Sequence, residues 1–282
     1  MSSERRIGAR AAARNWGAIV VGAVAPVLAV ALWHAVAQAG LVNPQILPAP
    51  LDVARKWLAY LLPLEPYGGQ GSWLAWALSG ELAVDTASSL YRVVVGFGIG
   101  AGLALPLGLA MGASSAVYAW LNPLLQILRP IPPIAYIPLA ILWFGLGNPP
   151  AVFLIAIGAF FPVLMNTIAG VRQVDGIYLR AARNLGAGGG TLFLRVILPA
   201  AVPYILSGMR IGVGTAFIVV IVSEMIAVNN GLGYRILEAR EYFWSDKIIA
   251  GMITIGMLGL AIDLGMDRLN RHLLRWHRGL EH

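Results

Sequence analysis

The residues that could do chemistry in this chain are few, and most sit where water is scarce. Arg92, Arg129, Arg210 and Glu224 lie within or at the edges of long apolar runs, Asn166-Thr167 close another, and Asp263 lies near the end of the last. Ionisable groups inside an apolar segment are costly, and are kept where they pair with one another or line a polar path. Arg92, Arg129, Asn166, Thr167 and Glu224 are therefore candidates for a translocation pathway. Glu224 suits a structural ion pair with an arginine better than contact with an anion, since like charges repel. Arg129 reads either as an interfacial arginine or as a pathway cation, and Asp263 as interfacial. Bond-making chemistry has little to work with. His34, His272, His277 and His282 are scattered, three of them in the tail, and cysteine is absent, which excludes disulfides and thiolate metal sites. No paired carboxylates, metal-ligand spacing, nucleophile motif or glycine-lysine phosphate loop is present. The chain is expected not to be an enzyme: it has no catalytic residues, and neither a metal nor a cofactor of its own.

A second concentration of polar residues is the stretch from Tyr178 to Pro203, which carries Arg180, Arg183 and Arg195 between two apolar segments. Helix formers around Ala181-Ala182 predict a short helix from Tyr178 to Leu185. Gly186, Gly188, Gly189 and Gly190 break it, because glycine is costly inside a helix and favoured in a turn. Thr191 is placed to cap a second short helix over 191–198, where Leu192, Val196 and Phe193, Ile197 recur at helical spacing until Pro199. Such a loop is either a plain cytoplasmic linker or a docking element for a soluble partner.

The elements that position these residues follow from composition. Of 282 residues 59% are hydrophobic and 12% charged, against about a quarter charged in a soluble domain. This is an integral membrane protein, all-α, with six predicted spans. The first runs from Ala18 to Ala39, without a visible signal-peptide cleavage site. An amphipathic helix with Leu51, Ala54, Leu58 and Leu61 on one side and Asp52, Arg55 and Lys56 on the other is expected to lie along the interface. The second span runs from Thr86 to Met111, where Gly98 and Gly102 offer a close-packing face. Tyr118 to Phe144 is apolar but interrupted by Asn122-Pro123, Arg129-Pro130-Ile131-Pro132-Pro133 and Pro138. A broken helix at membrane depth is tolerated only inside protein or beside a water-filled cavity, so this third span points to a path. A tight turn at Gly147-Asn148-Pro149-Pro150 precedes the fourth span, Ala151 to Ala169. The fifth is Pro203 to Ala227 and the sixth Ile248 to Met266. The net charge of +7 reflects loop asymmetry rather than nucleic-acid binding. Segments 1–17, 171–202 and 268–282 hold twelve Lys and Arg, whereas 41–85 and 228–247 hold five. That bias puts both termini and the glycine-hinged loop on the cytoplasmic side.

The run Ala181-Ala182, three residues, Gly186, nine residues, Val196-x-Leu198-Pro199 resembles the EAA loop of binding-protein-dependent ABC importer permeases. Arg180 replaces the family's leading Glu, so a contact made by that Glu must be remade or absent; an Arg here is similar to taurine-type permeases. Leu47-Pro48-Ala49-Pro50, Ser88-Ser89-Leu90-Tyr91-Arg92-Val93, Arg129 to Ala135, Leu142-Trp143-Phe144-Gly145-Leu146-Gly147 and Gly231-Leu232-Gly233-Tyr234 extend the resemblance to the taurine, alkanesulfonate and nitrate branch. It implies a MetI-like permease core in a bacterial inner membrane, with segments 1–17 (cytoplasmic), 18–39 (first span), 40–85 (periplasmic), 86–267 (a five-helix core holding the coupling loop 171–202) and 268–282 (cytoplasmic tail). It also implies a homodimer, two ATP-binding subunits that hold ATP and magnesium, and a periplasmic or lipid-anchored substrate-binding protein. Membrane lipid is the remaining partner, and nucleic acid is not one. On this resemblance Arg180, Ala181, Ala182, Leu185, Gly186, Val196, Leu198 and Pro199 couple the chain to the ATPase. The cargo implied is a small anion, taurine or another alkanesulfonate first, with nitrate, bicarbonate or another small organic substrate as alternatives. An ion-coupled secondary transporter is the rival class, since it too uses broken helices and intramembrane charges.

Overall fold

The computed structural model describes residues 22, 24–63, 67–68 and 72–274, and among these every regular element is helical. Helices α1 (Val24–Gln38), α2 (Pro50–Leu61) and α3 (Trp73–Ala77) precede the core. The core begins with α4 (Glu81–Ala113) and continues through α5 (Ser115–Leu128), a 3-10 turn (Pro133–Tyr136) and α6 (Ile137–Phe144) to α7 (Asn148–Arg172). It goes on through α8 (Gly176–Asn184), α9 (Gly189–Leu192), a π turn (Phe193–Ile197), α10 (Leu198–Ala227), α11 (Leu232–Glu241) and α12 (Ser245–Leu273). By length and hydropathy α4, α7, the run Gly189–Ala227 and α12 can each cross a membrane. A fifth crossing is the bent pair Ser115–Leu128 and Pro133–Phe144, which meet at 80°. The interruption is the proline cluster read from the sequence: Pro130, Pro132 and Pro133 carry no N–H to continue the ladder.

The described helices thus supply up to five crossings rather than six. The described part of the expected first span, Val24–Gln38, is shorter than a crossing. Residues 18–21 and 23 lie outside the described residues, as do segment 1–17 and the end of the tail from 275. The predicted second span grows at both ends, because Glu81 and Asp85 begin the same helix as the apolar run.

Helix α7 is the centre, with α4 on one side and α10 on the other. Small residues make this possible. Gly96, Gly100, Gly108 and Gly112 recur at multiples of four along α4, a stripe that winds slowly round the helix and stays against α7. A Cβ on them would strike Ile155, the Ala156 carbonyl, Thr167 and Val171 respectively. These pairings advance together along both helices, so α4 and α7 run parallel. Gly208 and Gly212 of α10 are closed the same way by Asn166 and Val163, and Gly170 of α7 by Tyr204, which makes α7 and α10 antiparallel. Gly98 and Gly102 are the packing pair that the sequence predicts. The structure leaves open space at both, and the contact face lies two residues away.

Two further expectations change. The tight turn belongs to Gly145 and Gly147, with φ of 74° and 122°, while Asn148, Pro149 and Pro150 form the first turn of α7, where proline's missing donor costs nothing. The second helix of the basic loop is not separate: α9 and the π turn feed directly into α10. Its N-cap is Gly188 without a side-chain hydrogen bond, so Thr191 caps nothing. Pro199 sits in the first turn of α10 and cannot donate to the carbonyl of Arg195. The i→i+5 bond from Leu198 N–H to Phe193 O carries the chain past it.

Candidate functional site

At the end of the bundle where α4 and α7 begin, Asp85, Ser89 and Arg92 are spaced by four and three residues on one face of α4. All three are buried. Opposite them α10 presents Glu224, and the chain then turns at Gly231 into α11. The Arg92 Nη1 donates to Glu224 Oε1 at 2.6 Å, and the two side chains are 2% and 0% exposed. The second Glu224 oxygen accepts from Ser89 Oγ and from the Gly233 amide, both at 2.9 Å. A buried charge pair stabilises only when its remaining hydrogen-bonding capacity is also met, and here it is. Arg92 Nε donates to Asn148 Oδ1 at 2.8 Å, Nη1 also reaches the Asn230 carbonyl at 3.1 Å, and Nη2 donates to Asn230 Oδ1.

Asp85 extends the network. It accepts from the Gly231 amide at 2.9 Å, from Arg235 Nε at 2.7 Å and from the Tyr60 hydroxyl at 3.1 Å. Burial and the neighbouring Asp85 carboxylate push the Tyr60 hydroxyl up, so it remains a donor. Burial alone would lower Arg235, but its hydrogen bonds to Asp85 and Glu238 outweigh that and raise it. Gly231, at φ 106°, approaches the Glu224 carboxylate so closely that a Cβ would lie 2.6 Å from it. This is the physical need behind Gly231-Leu232-Gly233. The cluster pins α2, α4, α7, α10 and α11 together with charge and hydrogen bonds. It contains no nucleophile or acid–base pair arranged for bond chemistry.

The other pathway candidates are elsewhere. Asn166 Nδ2 and Thr167 Oγ1 donate to carbonyls of their own helix, Pro162 at 2.9 Å and Val163 at 2.7 Å, beside Gly208 and Gly108. Arg129 is an exposed residue at the C-terminus of α5. Arg210 pairs with Asp263 through two bonds of 2.8 Å between α10 and α12. Sequence reasoning missed Asp85, Ser89, Asn148 and Asn230. The four-and-three spacing from Asp85 to Arg92 is the available signal, hidden because Asp85 precedes the apolar run that marks the span.

At the opposite end α8 stands outside the crossings. Asp175 Oδ1 accepts from the Ile177 amide at 2.8 Å and starts it. Gly186, at φ 85°, stops it, with Gly186 N–H on Arg183 O at 2.9 Å and Ala187 N–H on Ala182 O at 3.0 Å. Ile177, Tyr178 and Leu185 are 60%, 58% and 89% exposed, and Ala181 lies between them at helical spacing. Arg180 and Arg183 are also exposed, while Val196, Leu198 and Pro199 are half-buried where the loop joins α10. Buried Leu192 anchors the loop.

The model of the binding-protein-dependent transport system inner membrane component family matches residues 102–279, from the middle of α4 into the tail. The chain belongs to that family. It is a permease component, and the match takes in α8 and its glycine stop. The taurine transport system permease protein TauC of Escherichia coli is 36% identical over 257 residues, covering 91% of this chain and 89% of that one. The putative aliphatic sulfonates transport permease protein SsuC of Bacillus subtilis is 36% identical over 260 residues, covering 92% and 88%. The nitrate import permease protein NrtB of Synechocystis is 35% identical over 217 residues, covering 77% and 76%. A chain of the inward-facing MetNI methionine ABC transporter superposes with a TM-score of 0.62 at 18% identity, over 70% of this permease and 97% of that chain. That likeness speaks for the fold alone.

Proposed function

We propose that this permease is the membrane-spanning subunit of an ATP-driven importer for taurine or another alkanesulfonate, with nitrate or a related oxyanion as the second reading. It works as a homodimer. Two ATP-binding subunits hold ATP and magnesium and seat on the α8 helices at the cytoplasmic end, through Ala181, Ala182, Leu185 and Gly186, with Arg180 in place of the family's glutamate. A substrate-binding protein delivers cargo at the Arg92 end, which faces outward. ATP closes the motor subunits and draws the two α8 helices together; the π turn and Leu198-Pro199 pass that movement into α10, and the path opens outward. Hydrolysis resets it. The observation that carries this reading is α8 itself: a helix capped at both ends, outside the crossings, displaying an apolar stripe that no described residue of this chain covers.

The cargo follows the relatives' names, and calorimetry on the cognate binding protein is the test. Taurine or an alkanesulfonate is expected to bind tightest among taurine, ethanesulfonate, nitrate and bicarbonate. Reconstituted uptake of the same anion must then require both ATP and the binding protein. Uptake by the permease alone, driven by a proton or sodium gradient, would sink the proposal.

A further inference from the structure

A cavity of about 460 Å³ opens beside the buried ion pair, lined among others by Ser88, Tyr91, Arg92, Asn148 and Asn230. Arginine has only donors. Both carboxamides therefore turn their oxygens toward the Arg92 guanidinium and their NH₂ groups away from it. Those two NH₂ groups, with the Ser88 and Tyr91 hydroxyls, make four donors at one cavity wall, and none has an acceptor among the described residues. Asn148 and Asn230 are exposed and Tyr91 is 57% exposed, so the donors are reachable.

We infer that this cavity binds a small monovalent oxyanion, a sulfonate or nitrate, through the amides of Asn148 and Asn230 and the hydroxyls of Ser88 and Tyr91. Arg92 is a positioning residue: it fixes both amides with the donor edge outward and does not itself hold the anion. Its charge is already met by Glu224 at 2.6 Å. Among the described residues the site therefore offers hydrogen bonds without a free cation, and holds an anion weakly enough to let it go, as a station on a path must. The assignment to cargo, rather than to any passing oxyanion, rests on the function proposed above.

The chain has no cysteine, so Ala87→Cys gives one thiol on the cavity wall. In the transporter complex in nanodiscs, its modification by neutral methyl methanethiosulfonate is timed with and without added anion. Ethanesulfonate or nitrate is expected to slow it saturably. Asn148→Asp and Asn230→Asp keep an oxygen for Arg92 but replace the outward donor with an acceptor, and each should abolish protection. Tyr91→Phe, which removes no hydrogen bond among the described residues, should weaken protection about ten-fold. Protection that is absent in the parent, or that survives unchanged in both Asp variants and in Tyr91→Phe, overturns the site. Protection by an anion that the complete importer does not take up supports the site and overturns the cargo assignment instead. Ethanesulfonate and nitrate run separately show which oxyanion the cavity prefers.

Discussion

Glu224 is the residue on which the polar end of the bundle depends. Its carboxylate meets Arg92, Ser89 and the Gly233 amide with no exposure to solvent. Glu224→Gln keeps the shape and leaves Arg92 buried without a counter-charge. Breaking a buried pair from one side costs about 3–5 kcal/mol, and the thermal midpoint of the detergent-solubilised permease is expected to fall accordingly. The double variant Arg92→Met, Glu224→Leu removes both charges and should recover a large part of that loss; a double variant as unstable as the sum of the singles would contradict the pairing. At this scale the sequence was half legible. An arginine partner for Glu224 was foreseeable because an isolated intramembrane carboxylate is expensive. Which arginine it was depended on α4 and α10 meeting 132 positions apart in the chain. Asn148 and Asn230 look in sequence like ordinary turn residues, and only the fold sets both carboxamides against one guanidinium.

Glycines let α4 and α10 approach α7 closely enough for the apolar core to close between them, and α4 allows a clean comparison. Gly100→Ala places a methyl group against the Ala156 carbonyl of α7, whereas Gly98→Ala meets nothing within 4 Å. The first is expected to destabilise by about 1–3 kcal/mol through overpacking. The second should be neutral, or stabilising by up to about 1 kcal/mol, because alanine is the better helix former. Equal denaturation midpoints for the two variants would refute the parallel α4–α7 packing. Five glycines within Gly96–Gly108 and two interleaved fours-apart series left the sequence ambiguous about which series is the seam. The proline-broken crossing was legible, since missing donors bend a helix whatever surrounds it. The join of α9, the π turn and α10 was not, because glycines at 188–190 and prolines at 199 and 203 each suggest an end to a helix that in fact runs on.

Across the whole molecule, the ion-pair cluster and α8 occupy opposite ends, joined by α10, whose last helical turn holds Glu224 and whose first receives the π turn from the loop. Any force applied at α8 therefore enters the element that the cluster clamps. Leu185 tests whether a motor protein applies it. The side chain is 89% exposed, so it contributes little to this chain's own stability, and Leu185→Asp should leave the thermal midpoint of the isolated permease unchanged. Seated against an ATP-binding subunit, the same leucine would contribute about 1.5–3 kcal/mol by burial. Its loss, with a carboxylate brought to the contact, should weaken co-purification of that subunit at least ten-fold and remove ATPase stimulation by the loaded binding protein. Leu185→Cys supplies the geometric half of the test. A membrane-impermeant thiol reagent should reach it in inside-out vesicles and not in intact cells, and bound ATP-binding subunit should shield it. Labelling from the outside, or labelling indifferent to the motor subunit, would mean that α8 is only a linker and that the movement of this permease is driven from somewhere else.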